Sequence, residues 1–139
     1  MTDDTTRIYG TPIDTHTRAE AIAAGDLIQA PDALTHDAKF RAPVTLTRAA
    51  WADCVAWTDD DHARTGAIQD EDGRLWDVLW MAARAVRGLS SDAATACFKV
   101  YRVARDARPG PDGDIEPTPV YLIATLLPDG ITISLPGED

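Results

Sequence analysis

ATACFKVYRVA, residues 94–104, is where the hydrophobic period of this chain changes. Upstream, as far as Gly88, apolar residues recur every three to four positions. Here Cys97, Lys99, Tyr101 and Val103 alternate with Phe98, Val100 and Arg102, the period of a strand. A second strand is expected in VYLIATLL, 120–127, and Pro128-Asp129-Gly130 makes a tight turn into ITISL, 131–135. The last two strands therefore form a hairpin. RDARPGPDGDIEPTP, 105–119, joins the first strand to the second as a proline- and glycine-rich loop, expected to be exposed and mobile.

Working back from that switch, the chain reads as helices. After the polar start, Thr17-Arg18-Ala19-Glu20 is a capping box, and AEAIAA ends at Gly25, a suitable left-handed residue. Asp26-Leu27-Ile28 leaves as a short extended piece, and Pro31-Asp32 opens a second short helix through ALTHDAKF, closed at Ala42-Pro43. Thr47 is an N-cap for a third helix through Trp57, with Ala50, Cys54 and Trp57 on one face. A fourth begins around Asp72. Its apolar arc runs through Leu75, Val78, Leu79, Ala82 and Val86, Arg84 and Arg87 suit its last turns, and Gly88 ends it. About four helices in the N-terminal two-thirds, then three antiparallel strands, predict an α+β fold with the helices packed on one face of a C-terminal sheet. One domain is expected over 1–139, with a polar tail at 1–7.

The composition removes several functions. With 45% hydrophobic residues in 139, the chain has enough apolar material for a core without disulfides. Cys54 and Cys97 both fall in apolar periodic segments and are expected as covered, free thiols. Asp53 beside Cys54 would raise the thiol's pKa, which speaks against a nucleophile. MTDDTTRIYG has no apolar stretch, so no signal peptide is expected, and no run suits a membrane span. The chain reads as cytoplasmic. A net charge of −10, from 23 acids and 13 bases, opposes direct nucleic-acid binding and favours a basic partner.

Catalytic and metal signatures are weak. Taking Asp59 as the first position of a calcium loop puts Arg64 where the turn needs glycine. His16, His36 and His62 lie far apart, and no paired Cys or His spacing suits zinc. There is no nucleophile elbow and no phosphate loop. Asp53 and Asp77, inside tryptophan-bearing helices, are the carboxylates to weigh for acid–base work, but their helical phase also fits polar faces. No enzyme, metal or cofactor is expected.

What remains is acidic surface. From Asp53 to Asp77 stand eight acids, Asp53, Asp59, Asp60, Asp61, Asp70, Glu71, Asp72 and Asp77, against two bases, Arg64 and Arg74. Asp70-Glu71-Asp72 suits the N-terminus of the fourth helix. Asp59-Asp60-Asp61 is expected at or just past the C-terminus of the third, where negative charge is disfavoured. A cost of that kind points to function. A solvated loop is the plain alternative. Lys99, Arg102, Arg105 and Arg108 form a basic set best read as a charge-balanced strand end and loop.

The stretches IYG, HTRAEAIAAGDLI, PVTLTRAAWADCVAW, QDEDGRLWDVLWMA, FKVYRVARD and ITISLP resemble an uncharacterised family of small acidic bacterial proteins found on plasmids and phages. That resemblance spans nearly the whole chain, carries no catalytic residues, and implies an inhibitor of host defence of the anti-CRISPR or anti-restriction type. The eight acids would then mimic nucleic-acid phosphates and occupy a basic nucleic-acid-binding site of a host complex, each accepting from a partner Arg or Lys. Two alternatives stay open: a homodimeric or regulatory module that uses exposed tryptophans, and a carboxylate-based metal-dependent enzyme.

Overall fold

The computed structural model describes residues 17–138. The polar tail expected at 1–7, the IYG stretch and His16 lie outside them. Ten elements follow in order: α1 (Arg18–Ala24), β1 (Leu27–Gln29), α2 (Asp32–Asp37), β2 (Val44–Thr47), α3 (Arg48–Cys54), α4 (Asp59–Thr65), α5 (Glu71–Arg87), β3 (Thr95–Arg102), β4 (Thr118–Leu127) and β5 (Gly130–Ser134).

The local chemistry that sets several helix ends is visible in the side chains. Thr17 Oγ1 accepts from the Glu20 amide and Glu20 reaches back to the Thr17 amide, while Gly25 closes α1 in the left-handed region at φ +84°. Thr47 caps α3 through the Ala50 amide. Asp70 caps α5 by accepting from the Gly73 amide at 2.6 Å.

The three-stranded antiparallel sheet is overturned. The sheet has five strands in the order β1-β2-β5-β4-β3, and it is mixed. β3–β4 and β4–β5 are antiparallel as expected, and β4–β5 is the hairpin over Pro128-Asp129-Gly130. β2, however, lies parallel to β5, pairing Val44 with Ile131 and Leu46 with Ile133, and β1 closes the far edge antiparallel to β2. Both extra strands are too short to show an alternation. Leu46 is fully buried in β2 beside Val44 and Thr45.

Helices number five among the described residues. α3 stops at Cys54, so Trp57 belongs to the connection and not to the helix, and the residues after it form the separate helix α4. α5 buries Leu75, Val78, Leu79 and Ala82 against Phe98, Val100, Leu122, Ala124 and Ile133, and the same core takes in Val44, Leu46, Ala50 and Val55. Along β3, burial alternates as the sequence implied, with Ala96, Phe98 and Val100 inward and Cys97, Lys99 and Tyr101 outward. Cys97 is therefore exposed, contrary to expectation, while Cys54 is buried, and both are free.

Gly130 shows how the parallel pair is fitted. Its φ is +149°, and a Cβ there would sit 2.7 Å from the Pro43 carbonyl oxygen, the atom that accepts from the Ile131 amide at the head of the β2–β5 ladder. Neither atom can retreat without breaking that bond. Gly130→Ala is expected to cost about 2 kcal/mol or more, read as a lower midpoint in urea. An unchanged midpoint would show that the β2–β5 junction is loose.

Candidate functional site

The first acidic triplet is not at a helix C-terminus. Thr58, extended at φ −114°, caps α4: its hydroxyl accepts from the Asp61 amide, and the Asp61 carboxylate accepts from the Thr58 amide at 2.9 Å. Asp59, Asp60 and Asp61 thus fill the first turn of a helix, where negative charge is favoured. The supposed stability cost does not exist. The signal was present in the sequence as Thr58-x-x-Asp61 with Gly66 beyond, a capping box and a left-handed stop.

Asp61 is set apart from its neighbours. It is 3% exposed, and its carboxylate also takes Arg64 Nη2 at 2.6 Å and Arg105 Nε at 2.8 Å. Burial alone would raise its pKa, but the Thr58 amide and the two guanidinium groups outweigh that and hold the carboxyl far below the ordinary range. Asp53 is similarly engaged, with Arg102 Nε at 2.7 Å. Two of the basic residues read as a balanced strand end, Arg102 and Arg105, are therefore the partners of two candidate site acids.

Beneath them lies Arg74, 4% exposed and early in α5. Its Nε donates to the Val55 carbonyl at 3.0 Å, Nη1 to the Val103 carbonyl at 2.9 Å and to Gln69 Oε1 at 3.3 Å, and Nη2 to the Asp53 carbonyl at 3.3 Å. The guanidinium also stands over the Trp57 ring at 4.7 Å from its centroid. Burial lowers its pKa, yet an arginine stays protonated. Cys54, nearby in the core, has its thiol pushed up to about 12, first by burial and then by Asp53, the opposite of the shift that activates a thiol.

The second triplet and one member of the first meet on the surface. Asp59 from α4 and Asp70, Glu71 and Asp72 from the start of α5 line one open depression of about 650 Å³ with Trp57, Thr58, His62, Ile68 and Gln69. No lysine or arginine lines it. Glu71 Oε2 accepts from the Trp57 amide at 3.0 Å, tying the first turn of α5 to the chain entering α4. His62 Nδ1 lies 2.9 Å from the Ala67 carbonyl, an acceptor, so that nitrogen carries the proton. Ile68, 87% exposed, stands among the acids, and the Trp57 indole Nε1 is buried with no acceptor among the described residues.

Seven of the eight candidate acids separate into three groups. Asp53 and Asp61 neutralise internal arginines. Asp70 and Glu71 have capping or bridging bonds and still face the depression. Asp59, Asp60 and Asp72 are exposed, and nothing among the described residues pairs with them. Asp77 lies further along α5, its carboxyl raised by partial burial, and it does not line the depression. Ile68, His62 and Trp57 were not foreseen as part of this surface, because only the fold brings them beside the acids.

Among the described residues, no group of three or more His, Cys, Asp or Glu is placed to hold a metal ion. No helix among them is long and apolar enough to cross a membrane. No protein-family model matches the chain, and neither a curated protein nor a solved structure matches it.

Asp61 gives a pH-dependent test of this geometry. A folded-state pKa held below the unfolded value of about 3.9 contributes stability that is complete above that value and is lost as pH falls below it. Asp61→Asn is expected to destabilise the protein by about 2 kcal/mol at pH 7, and the gap should narrow steadily once the pH drops below about 4. Urea titrations of both proteins at neutral and acidic pH measure it. A gap of constant size would mean the carboxylate's charge contributes nothing.

Proposed function

We propose that this protein is a stoichiometric inhibitor that docks its acidic depression on the basic nucleic-acid-binding site of a partner complex. The observation that carries the reading is the convergence of Asp59, Asp70, Glu71 and Asp72 on one depression lined by no lysine or arginine, with Asp60 exposed beside them. A helix first turn favours each triplet, so a surface hostile to nucleic acid is held at little local cost. Carboxylates grouped in this way compete for the arginines and lysines that would otherwise hold phosphates. Ile68 adds an apolar contact within the same footprint. The narrower proposal, a host defence complex of the CRISPR or restriction type met by a mobile-element protein, rests on the family resemblance of the sequence.

The contact set is smaller than the eight acids first considered. It comprises Asp59, Asp60, Asp70, Glu71 and Asp72, whereas Asp53 and Asp61 act within the fold. Reversing the whole triplet from Asp59 to Asp61 would break the Asp61 cluster and unfold the helix, so a charge-reversal test must spare that residue.

The suitable variant carries Asp59→Lys, Asp60→Lys and Asp72→Lys, three side chains that pair with nothing among the described residues. Tagged wild type is expected to retain a nucleic-acid-binding complex from a lysate carrying CRISPR and restriction systems. Excess duplex DNA should release that complex, as should raising salt from roughly 50 to 500 mM. The triple variant should keep its fold and retain nothing. Retention that survives both DNA and the triple substitution would rule the reading out.

A further inference from the structure

Strand β3 is an edge of the sheet and, among the described residues, pairs with β4 alone. The direction of its free main-chain groups follows from one bond: the Ala94 carbonyl accepts from the Leu126 amide at 2.8 Å. Hydrogen-bonded and non-bonded pairs alternate in an antiparallel ladder, so Ala96, Phe98, Val100 and Arg102 continue the bonds to β4. Thr95, Cys97, Lys99 and Tyr101 therefore point their N–H and C=O groups outward along the open edge. The register runs unbroken from Thr95 to Arg102, without the proline or bulge that usually blunts such an edge.

Between this edge and α5 lies a cleft of about 350 Å³ lined by Asp77, Trp80, Met81, Lys99, Val100 and Tyr101. Its floor is apolar. Trp80 stacks on Trp76 with centroids 5.7 Å apart and remains 40% exposed. Lys99 stands over the Tyr101 ring at 5.2 Å and has no carboxylate partner among the described residues.

We propose that the β3 edge and this cleft bind an extended peptide segment of a partner protein, which adds to the sheet as an antiparallel strand. Its residue opposite Val100 points toward α5 and seats an apolar side chain on Trp80 and Met81. The following residue lies opposite Lys99 on the other face and is acidic, since opposite charges directly across a ladder stabilise it. The recognised element is therefore an apolar residue followed by Asp or Glu within a short extended run. A second copy of this chain fits poorly: the residues its β3 would turn toward the cleft, Phe98 and Val100, are already 7% and 3% exposed in its own core. A helical partner has no spare main-chain groups to meet the edge. The inference rests on the edge and cleft alone and is independent of the acidic depression.

The test is an amide-resolved NMR titration of the full chain with the blocked peptide Lys-Thr-Ile-Glu-Val-Thr and with its Glu-to-Lys counterpart. Saturable shifts are expected at the amides of Cys97, Lys99 and Tyr101 and at the Trp80 indole, with the Lys peptide binding about fivefold more weakly. Lys99→Glu, an exposed substitution, should invert that preference while leaving signals elsewhere in place. The proposal fails if no saturable shift occurs, if shifts fall away from the edge, or if Lys99→Glu leaves the preference as it was. Concentration-dependent shifts of the same amides without peptide would give the edge to a second copy and overturn it equally.

Discussion

A buried guanidinium holds the acidic end of this molecule together. Removing Arg74 from water costs several kcal/mol, and no carboxylate bonds to it in return. What compensates is geometry: a planar fork with five donors meets carbonyls at Asp53, Val55 and Val103, the Gln69 amide and the Trp57 face. Asp53 and Val55 sit at the C-terminal end of α3, where carbonyls lack partners within the helix. Arg105 adds a bond to the Ala52 carbonyl at 3.3 Å. A helix that ends against the core is thus closed by side chains from α5 and from beyond β3. Lysine, with three donors on a single nitrogen, could not span four acceptors that the fork reaches from three separate nitrogens.

The same contacts shape the surface. Residues 55–58 lead into α4 and Gln69 leads into α5, so both acidic first turns are rooted on one side chain. Glu71 then bonds the Trp57 amide and brings the two starts together. The acidity is partitioned accordingly. Asp53 and Asp61 face inward to Arg102, Arg64 and Arg105, while Asp59, Asp60 and Asp72 face water with no partner among the described residues. Each triplet sits on the positive end of a helix, which favours its charge.

Much of the fold was legible in local pattern. The cap at Thr17, the N-cap at Thr47, the arc of α5 and the alternation of β3 all stand in the sequence and in the structure. β1 and β2 were not legible as sheet strands. Each is short, and the parallel pairing of Val44–Leu46 with Ile131–Ile133 joins segments far apart in the chain, which leaves no local trace. α4 could have been read from Thr58 and Asp61, but three successive aspartates drew attention to charge instead of to capping. For the site, residue types picked out the acids, whereas their division into structural and free carboxylates depended on Arg102 and Arg105, some 40 to 50 positions away. The place of Ile68 among those acids likewise depends on the fold.

That one guanidinium keeps the acidic depression in shape is tested most directly by hydrogen exchange on an Arg74→Met variant, which keeps apolar bulk and removes the fork. Amides from Val55 to Asp72 and at Val103 should lose protection, while those of β2, β4 and β5 keep theirs. Protection unchanged around α4 and the start of α5 would contradict the account and place the depression's support elsewhere.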